Sequence, residues 1–368
     1  MNTTKTQRTI LTIVAVAFGL YLIFIATSQA MFTLKVALRE VMERLIPYDP
    51  DFYPAVPILG VTFGLWILMM AFGGVALLVM ARKIYNGDYG SRALGLGVSA
   101  IGAVAGMTMF IPWMVLVVSD YSNGPVPGVL PPPADVDTTP PVMMILFLSL
   151  LVYYIFLLLD KSSLKEKIYK FIIYTAIGVV AGMVYMNAQH GVRYFTFIPE
   201  YVKDPSVANY TNPLGNPYTN LDYFDAMALT TISEKQIEEL QPDQAVDIAL
   251  KEVDENGNHL TKEVVVYHST PKYNPNTLAL FLGGYGNYIA AYLMVFMIPF
   301  VFLRKKWAYS ILLISTLYSV IATFWVYFIR HSFEWFTGGI LSVILLILLL
   351  LPVFKQYLTE TETASTDQ

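Results

Sequence analysis

The sequence contains no cysteine. That excludes disulfides, thiolate nucleophiles, cysteine-ligated zinc and iron–sulfur clusters. It is also poor in charge: Asp, Glu, Lys and Arg make up 14% of its 368 residues, against about 25% in a soluble globular domain. Histidine is scarce, with four in all, and the net charge is −4, with no basic patch large enough to hold nucleic acid. The most informative lack is positional. No Asp, Glu, Lys, Arg or His falls in the middle of any long apolar run. A charge at the centre of a bilayer is costly and marks an ion path, a proton relay or a counter-ion. Its absence argues against a proton pump or a proton-coupled antiporter with a buried carboxylate. Transport of a neutral solute, or sodium sites built from carbonyls and hydroxyls, is left open.

Apolar sequence fills the space, at 56% of the chain. About 20 apolar residues cross a hydrocarbon core of about 30 Å. Eight runs reach or approach that length: residues 10–32, 56–80, 93–118, 142–159, 171–187, 277–303, 307–329 and 336–354. Ser28-Gln29-Ala30 loosely resembles a signal cleavage site, but the first run is longer than a typical signal core, which favours an uncleaved helix. These runs predict an all-α polytopic membrane protein of about eight transmembrane helices, with a small α/β extracytoplasmic domain inserted between spans five and six. Helices one to five occupy residues 1–187, the outer domain 188–276, helices six to eight 277–356, and a disordered cytoplasmic tail 357–368.

Two connecting segments stand out. Residues 34–46 place Leu34, Val41 and Leu45 on one face and Lys35, Arg39 and Glu43 on the other, as in an amphipathic helix lying at the interface. Residues 119–141 are proline-rich with three aspartates and no base, and read as an extended outer loop. The polar stretch from His190 to Asn276 begins with turn-forming prolines. Ser233 and Gln236 then form a capping box for a short helix, Glu234 to Leu240. Alternation at Val246, Ile248 and Leu250, a turn at Asn256-Gly257 and a returning strand predict a hairpin.

Lysine and arginine concentrate in cytoplasmic loops. With Lys5 inside, the inner segments hold thirteen bases and the short outer ones four. Residues 188–276 then lie outside and carry six basic and thirteen acidic residues, a net −7. The expected location is the plasma membrane, with both termini cytoplasmic.

Candidate chemistry is thin. His190 and Arg193 follow the fifth span, and Arg330, His331 and Glu334 follow the seventh, all at similar depth. His190 and His331 are candidate haem ligands, and Arg193 and Arg330 a candidate cationic rim for a quinone or lipid headgroup. Against this, helix-end residues commonly reach for water and pair with one another, and bis-histidine haem sites draw ligands from inside a bundle. Asp49 and Asp51 are candidate catalytic or metal-holding carboxylates for a lipid-linked substrate; a proline turn with solvated aspartates is the simpler reading. Asp254 to His259 superficially suggests a calcium loop but lacks the required spacing. Gly283, Gly284 and Asn287 are candidate substrate-binding residues if the sixth span is locally unwound; a frayed helix end is the simpler reading. Glycine stripes in the second, third and fifth spans allow close helix approach, within one chain or toward a partner. Aromatic residues such as Tyr153, Trp307 and Trp335 fit an interfacial belt.

No cofactor and no metal site is specified. The expected partners are the lipid bilayer and other membrane subunits, not nucleic acid. The favoured function is a non-catalytic subunit or scaffold of a cell-envelope assembly. The alternatives are a transporter of a neutral or lipidic solute, and a membrane enzyme acting on a lipid-linked or quinone substrate at the outer interface.

Overall fold

The computed structural model describes residues 3–42, 55–113, 142–197, 244–266, 275–330 and 333–359. Asp49, Asp51, His331, the proline-rich loop 119–141 and the predicted helix 234–240 lie outside the described residues. Helix α1 runs through Lys5–Leu20, a π-helical turn Tyr21–Ala26 and Thr27–Glu40. It is followed by α2 (Ala55–Tyr85), α3 (Tyr89–Trp113), α4 (Val142–Leu158) and α5 (Leu164–Phe197). Strands β1 (Gln244–Val253) and β2 (His259–Val266) come next. Helix α6 comprises Pro275–Phe281, a second π turn Leu282–Gly286 and Asn287–Phe302. Helices α7 (Lys306–Arg330), α8 (Phe333–Leu350) and the short α9 (Pro352–Thr359) end the described chain.

Seven of these helices are long and apolar enough to cross a membrane. The expected fourth span is helical over 17 described residues, Val142–Leu158, or about 26 Å at 1.5 Å per residue. The protein is therefore a multi-pass membrane protein, predominantly α-helical. Residues 34–42 do not start a separate helix but continue α1. The reason lies in the buried stripe Ala26, Ala30, Leu34, Ala37 and Val41, which extends the face of α1 that packs on α2. A helix whose apolar stripe still has a partner has no cause to turn aside at the membrane surface.

Helix ends are set by local chemistry. Thr4 and Gln7 form a reciprocal capping box for α1, with hydrogen bonds of 3.1 and 2.8 Å. Helix α2 ends in a Schellman pair: Gly87 N–H donates to Ile84 O (2.9 Å) and Asp88 N–H to Lys83 O (3.0 Å). Gly87 sits at φ +83°, a left-handed conformation that favours glycine. Asp88 then caps α3, accepting from Ser91 N (2.7 Å) and Ser91 Oγ (2.6 Å).

Packing in lipid depends on close van der Waals contact, not on hydrophobic exclusion from water. The glycine stripes of α2 and α3 supply it within the chain. Gly95 faces the Phe156 ring, Gly102 faces Ser149 Oγ and Gly106 faces the Leu146 backbone, so the α3–α4 seam has no room for a Cβ at these positions. Gly19 of α1 and Gly74 of α2 meet in the same way. The belt reading needs correction for two aromatics. Trp335 and Tyr153 are buried, the first against Val326 and Leu280, the second donating from its hydroxyl to Tyr174 O (3.0 Å). Trp307 is exposed.

The hairpin forms where the alternation placed it. Strands β1 and β2 are antiparallel, with Gln244 opposite Val266 and Val253 opposite His259. The turn is one residue longer than a two-residue Asn-Gly turn. Glu255–Gly257 form a three-residue loop, with Gly257 N–H donating to Asp254 O (3.0 Å) and Asp254 N–H to Asn258 O (2.8 Å). Gly257 takes the left-handed position at φ +82°. The Asp254 carboxylate accepts from Asn256 N (2.9 Å), Asn258 N (2.8 Å) and Asn258 Nδ2 (3.2 Å). These bonds, Asn258's first, hold its pKa below the ordinary carboxylate range. A depressed folded value means the stabilisation is complete above the unfolded value of about 3.9 and is lost as pH falls through the folded one. Amide shifts of Asn256 and Asn258, followed by NMR in micelles, should titrate with a midpoint below that value, and Asp254→Ala should abolish the titration.

Candidate functional site

Two polar centres lie within the bundle, at opposite ends. The first is at the end where α2 hands over to α3, α4 to α5 and α6 to α7. Asp160 opens the α4–α5 connection in a tight turn, accepting from Ser162 N (3.0 Å) and from Ser162 Oγ. Ser163 caps α5 by accepting from Glu166 N (3.2 Å), so α5 begins two turns before the apolar run. Lys170 is therefore helical and faces the bundle. Its Nζ donates to Asp160 Oδ2 (2.7 Å) and to Ser162 Oγ (3.2 Å). From α3, Arg92 reaches the same carboxylate oxygen (Nη2, 3.3 Å) and caps the end of α4, donating from Nε to Phe156 O (2.8 Å) and from Nη2 to Leu157 O (3.3 Å). Lys170 is 0% exposed, Asp160 2% and Arg92 4%.

The surrounding residues extend this cluster to the rest of the bundle. Glu166 lies 3.8 Å from both Lys170 Nζ and Arg304 Nη2. The Arg92 guanidinium lies over the Phe302 ring of α6, and Arg304 over Tyr357 of α9. Tyr89 donates to Phe302 O (2.7 Å). Burial alone would raise the Asp160 carboxyl, but hydrogen bonds from Lys170 and Ser162 and the charges of Lys170 and Arg92 outweigh it and hold it low. One carboxylate thus ties together α3, the end of α4 and the start of α5.

The second centre lies where α5 crosses α6. Gly191 and Gly284 bring the two backbones together: a Cβ on Gly191 would lie 2.6 Å from Gly284 N, and one on Gly284 would lie 2.6 Å from Val192 N. The π turn of α6 widens the helix here. The Leu282 carbonyl accepts from the Tyr318 hydroxyl (2.8 Å), which occupies the space left by Gly286. About one turn away along each helix are two buried amides. Asn287, 0% exposed, donates to Thr323 Oγ1 (3.3 Å). Asn187, 1% exposed, lies against Gly338 of α8. Both side-chain polar atoms of Asn187, Asn287 Oδ1, Tyr288 Oη and Trp66 Nε1 are buried without a hydrogen-bond partner among the described residues. Trp66, Tyr185 and Tyr292 form a ring cluster beside them, with centroids 5.1 to 5.6 Å apart.

The chain matches no known protein family, no curated protein and no solved structure. Its chemistry must be read from its own residues.

Gly283, Gly284 and Asn287 lie in and just after the π turn that packs on α5, within a helix that runs without a break from Pro275 to Phe302. Of the helix-end cluster, His190 Nδ1 lies 3.6 Å from Glu334 Oε1, within ion-pairing distance but beyond a hydrogen bond. Arg193 lies in the last two turns of α5 and Arg330 is the final residue of α7. No group of three or more possible metal ligands occurs among the described residues. Hydropathy does not disclose the first centre, because Arg92, Asp160 and Lys170 flank the apolar runs 93–118, 142–159 and 171–187 and read as loop charges. The Ser163-x-x-Glu166 capping signal and Asp88 ahead of Ser91 would have started both helices earlier and brought these charges inside.

Proposed function

We propose that the protein is a non-catalytic multi-pass subunit or scaffold of a cell-envelope assembly. In this reading it lies in the plasma membrane with the Arg92–Asp160–Lys170 end toward the cytoplasm and presents the acidic stretch between α5 and α6 outside as a small domain. The observation that carries the reading is the fastening of the bundle by that buried ion cluster, which ties α3, α4 and α5 and reaches α6 and α9 through Phe302 and Arg304. Breaking such contacts is costly, so the cluster favours one arrangement of the helices over the alternation a carrier needs. The excess of bases at this end supports the orientation.

The test is recovery of the full chain from cells cross-linked before solubilisation in mild detergent. A discrete assembly larger than the chain in its micelle is expected, and it should dissolve when residues 200–270 are replaced by a short Gly-Ser linker. A protein that runs alone under these conditions and turns over a substrate would sink the reading.

The unpartnered polar atoms of Asn187 and the unpartnered Oδ1 of Asn287 favour a second reading: passage or binding of a small neutral polar solute beside the π turn. Buried polar atoms in a hydrocarbon setting call for partners. Uptake of such a solute into proteoliposomes, lost on Asn187→Leu with the fold intact, would decide for this reading over the first.

A further inference from the structure

An apolar groove opens on the bundle between α3 and α6. Gly90 and Gly97 remove side chains from its floor, Pro299 packs against Gly97, and Leu94, Phe296 and Phe300 form its walls. Its volume is about 370 Å³, within the range of small-ligand pockets. From Gly90 to Ile101 it runs eleven residues along α3, about 16 Å. That is about half of a 30 Å hydrocarbon core, the depth of one leaflet.

The groove's mouth is built differently from its walls. Helix α6 ends in a Schellman pair: Arg304 N–H donates to Val301 O (2.8 Å) and Lys305 N–H to Phe300 O (3.0 Å). Arg304 occupies the left-handed position at φ 55°. The turn leaves Lys305, Lys306 and Trp307 exposed beside the groove, with the Trp307 ring 4.9 Å from Phe300. The nearby carboxylates are engaged elsewhere: Asp88 by Ser91, Asp160 by Lys170 and Arg92, and Glu166 by Arg304 and Lys170. An apolar channel one leaflet deep thus ends at two exposed lysines and an interfacial tryptophan.

We propose that this groove holds one acyl chain of an anionic phospholipid whose phosphate lies against Lys305 and Lys306. The proposal rests on the membrane-spanning bundle alone and stands whether the protein is a scaffold or a carrier. The full-length protein, purified in mild detergent with equal amounts of phosphatidylglycerol and phosphatidylcholine, is examined by native mass spectrometry for retained lipid. Phosphatidylglycerol should be retained in preference. Each lysine contributes about fivefold near an anionic headgroup, so Lys305→Gln with Lys306→Gln should cut its retention about 25-fold and leave phosphatidylcholine unchanged. Leu94→Trp, which fills the groove from a part-exposed wall, should lower retention of both lipids at unchanged helix content. The lysine pair is exposed, so its double variant keeps the test valid even if Leu94→Trp disturbs the fold. Equal retention of the two lipids by the wild type overturns the proposal. So does a lysine variant that keeps the preference. Displacement of the lipid by soluble glycerol phosphate at the same concentration would indicate an anion site without a chain, and overturns it too.

Discussion

Asp160→Asn should lower the stability of the bundle by about 3–5 kcal/mol, the cost of removing one partner from a buried ion pair. The substitution keeps the shape of the side chain and removes the one carboxylate shared by Arg92 and Lys170. Both cations then remain buried, Arg92 on the Phe156 and Leu157 carbonyls and Lys170 beside Ser162 and the more distant Glu166 carboxylate. The magnitude comes from uncompensated charge, not from lost packing, and that separates this variant from ordinary core truncation. A second variant makes the distinction. Asp160→Leu combined with Lys170→Met removes charges of opposite sign together and leaves Arg92 on the Phe156 and Leu157 carbonyls. It should be less destabilised than the sum of its single changes, because buried pairs replaced by apolar groups come out near neutral. Denaturant midpoints in mixed micelles measure all four proteins of the cycle. The pH dependence has a defined sign. Because the Asp160 carboxyl is held low in the fold, its contribution is complete above the unfolded value of about 3.9 and disappears as pH falls through the folded value. Wild-type stability should therefore fall in acid below pH 4, and Asp160→Asn should flatten that fall.

The same residues show what a sequence can and cannot disclose about this protein. The long apolar runs are a one-dimensional signal, so the runs starting near Val56, Trp307 and Phe336 appear as α2, α7 and α8 within a few residues of expectation. The hairpin was legible for the same reason: alternation and an Asn-Gly turn are local. Helix starts inside a polar loop were not, because Arg92 and Lys170 look solvated until capping by Asp88 and Ser163 is taken into account. The pairing of helices is non-local, and nothing in the spacing of Gly95, Gly102 and Gly106 says that α4, and not another chain, fills the seam. The crossing at Gly191 was not anticipated. Gly283 and Gly284 were singled out for weakness in a helix, and their use is close approach.

That use makes Gly284→Ala the other substitution of large expected effect. A Cβ at position 284 would lie 2.6 Å from Val192 N, 2.8 Å from Gly191 C and 3.0 Å from Val192 Cγ2. Two of the three atoms are backbone of α5, which no rotamer change can move. Helices α5 and α6 must therefore separate, and the separation is felt one turn away at Asn187 and Asn287. Overpacking costs about 1–3 kcal/mol, and more where nothing can relax, so the upper end is expected here. Glycine's own helix weakness works the other way, since alanine at an unobstructed helix position gains about 0.5–1 kcal/mol. Gly178, in the same helix as Gly191, meets nothing within 4 Å, so Gly178→Ala should be neutral or mildly stabilising. The two variants add the same methyl group to spans of the same bundle, and only Gly284→Ala should lower the unfolding midpoint. If Gly284→Ala unfolds at the wild-type midpoint, the close crossing of α5 and α6 is not what holds this end together, and the arrangement of Asn187 and Asn287 around it must be redrawn.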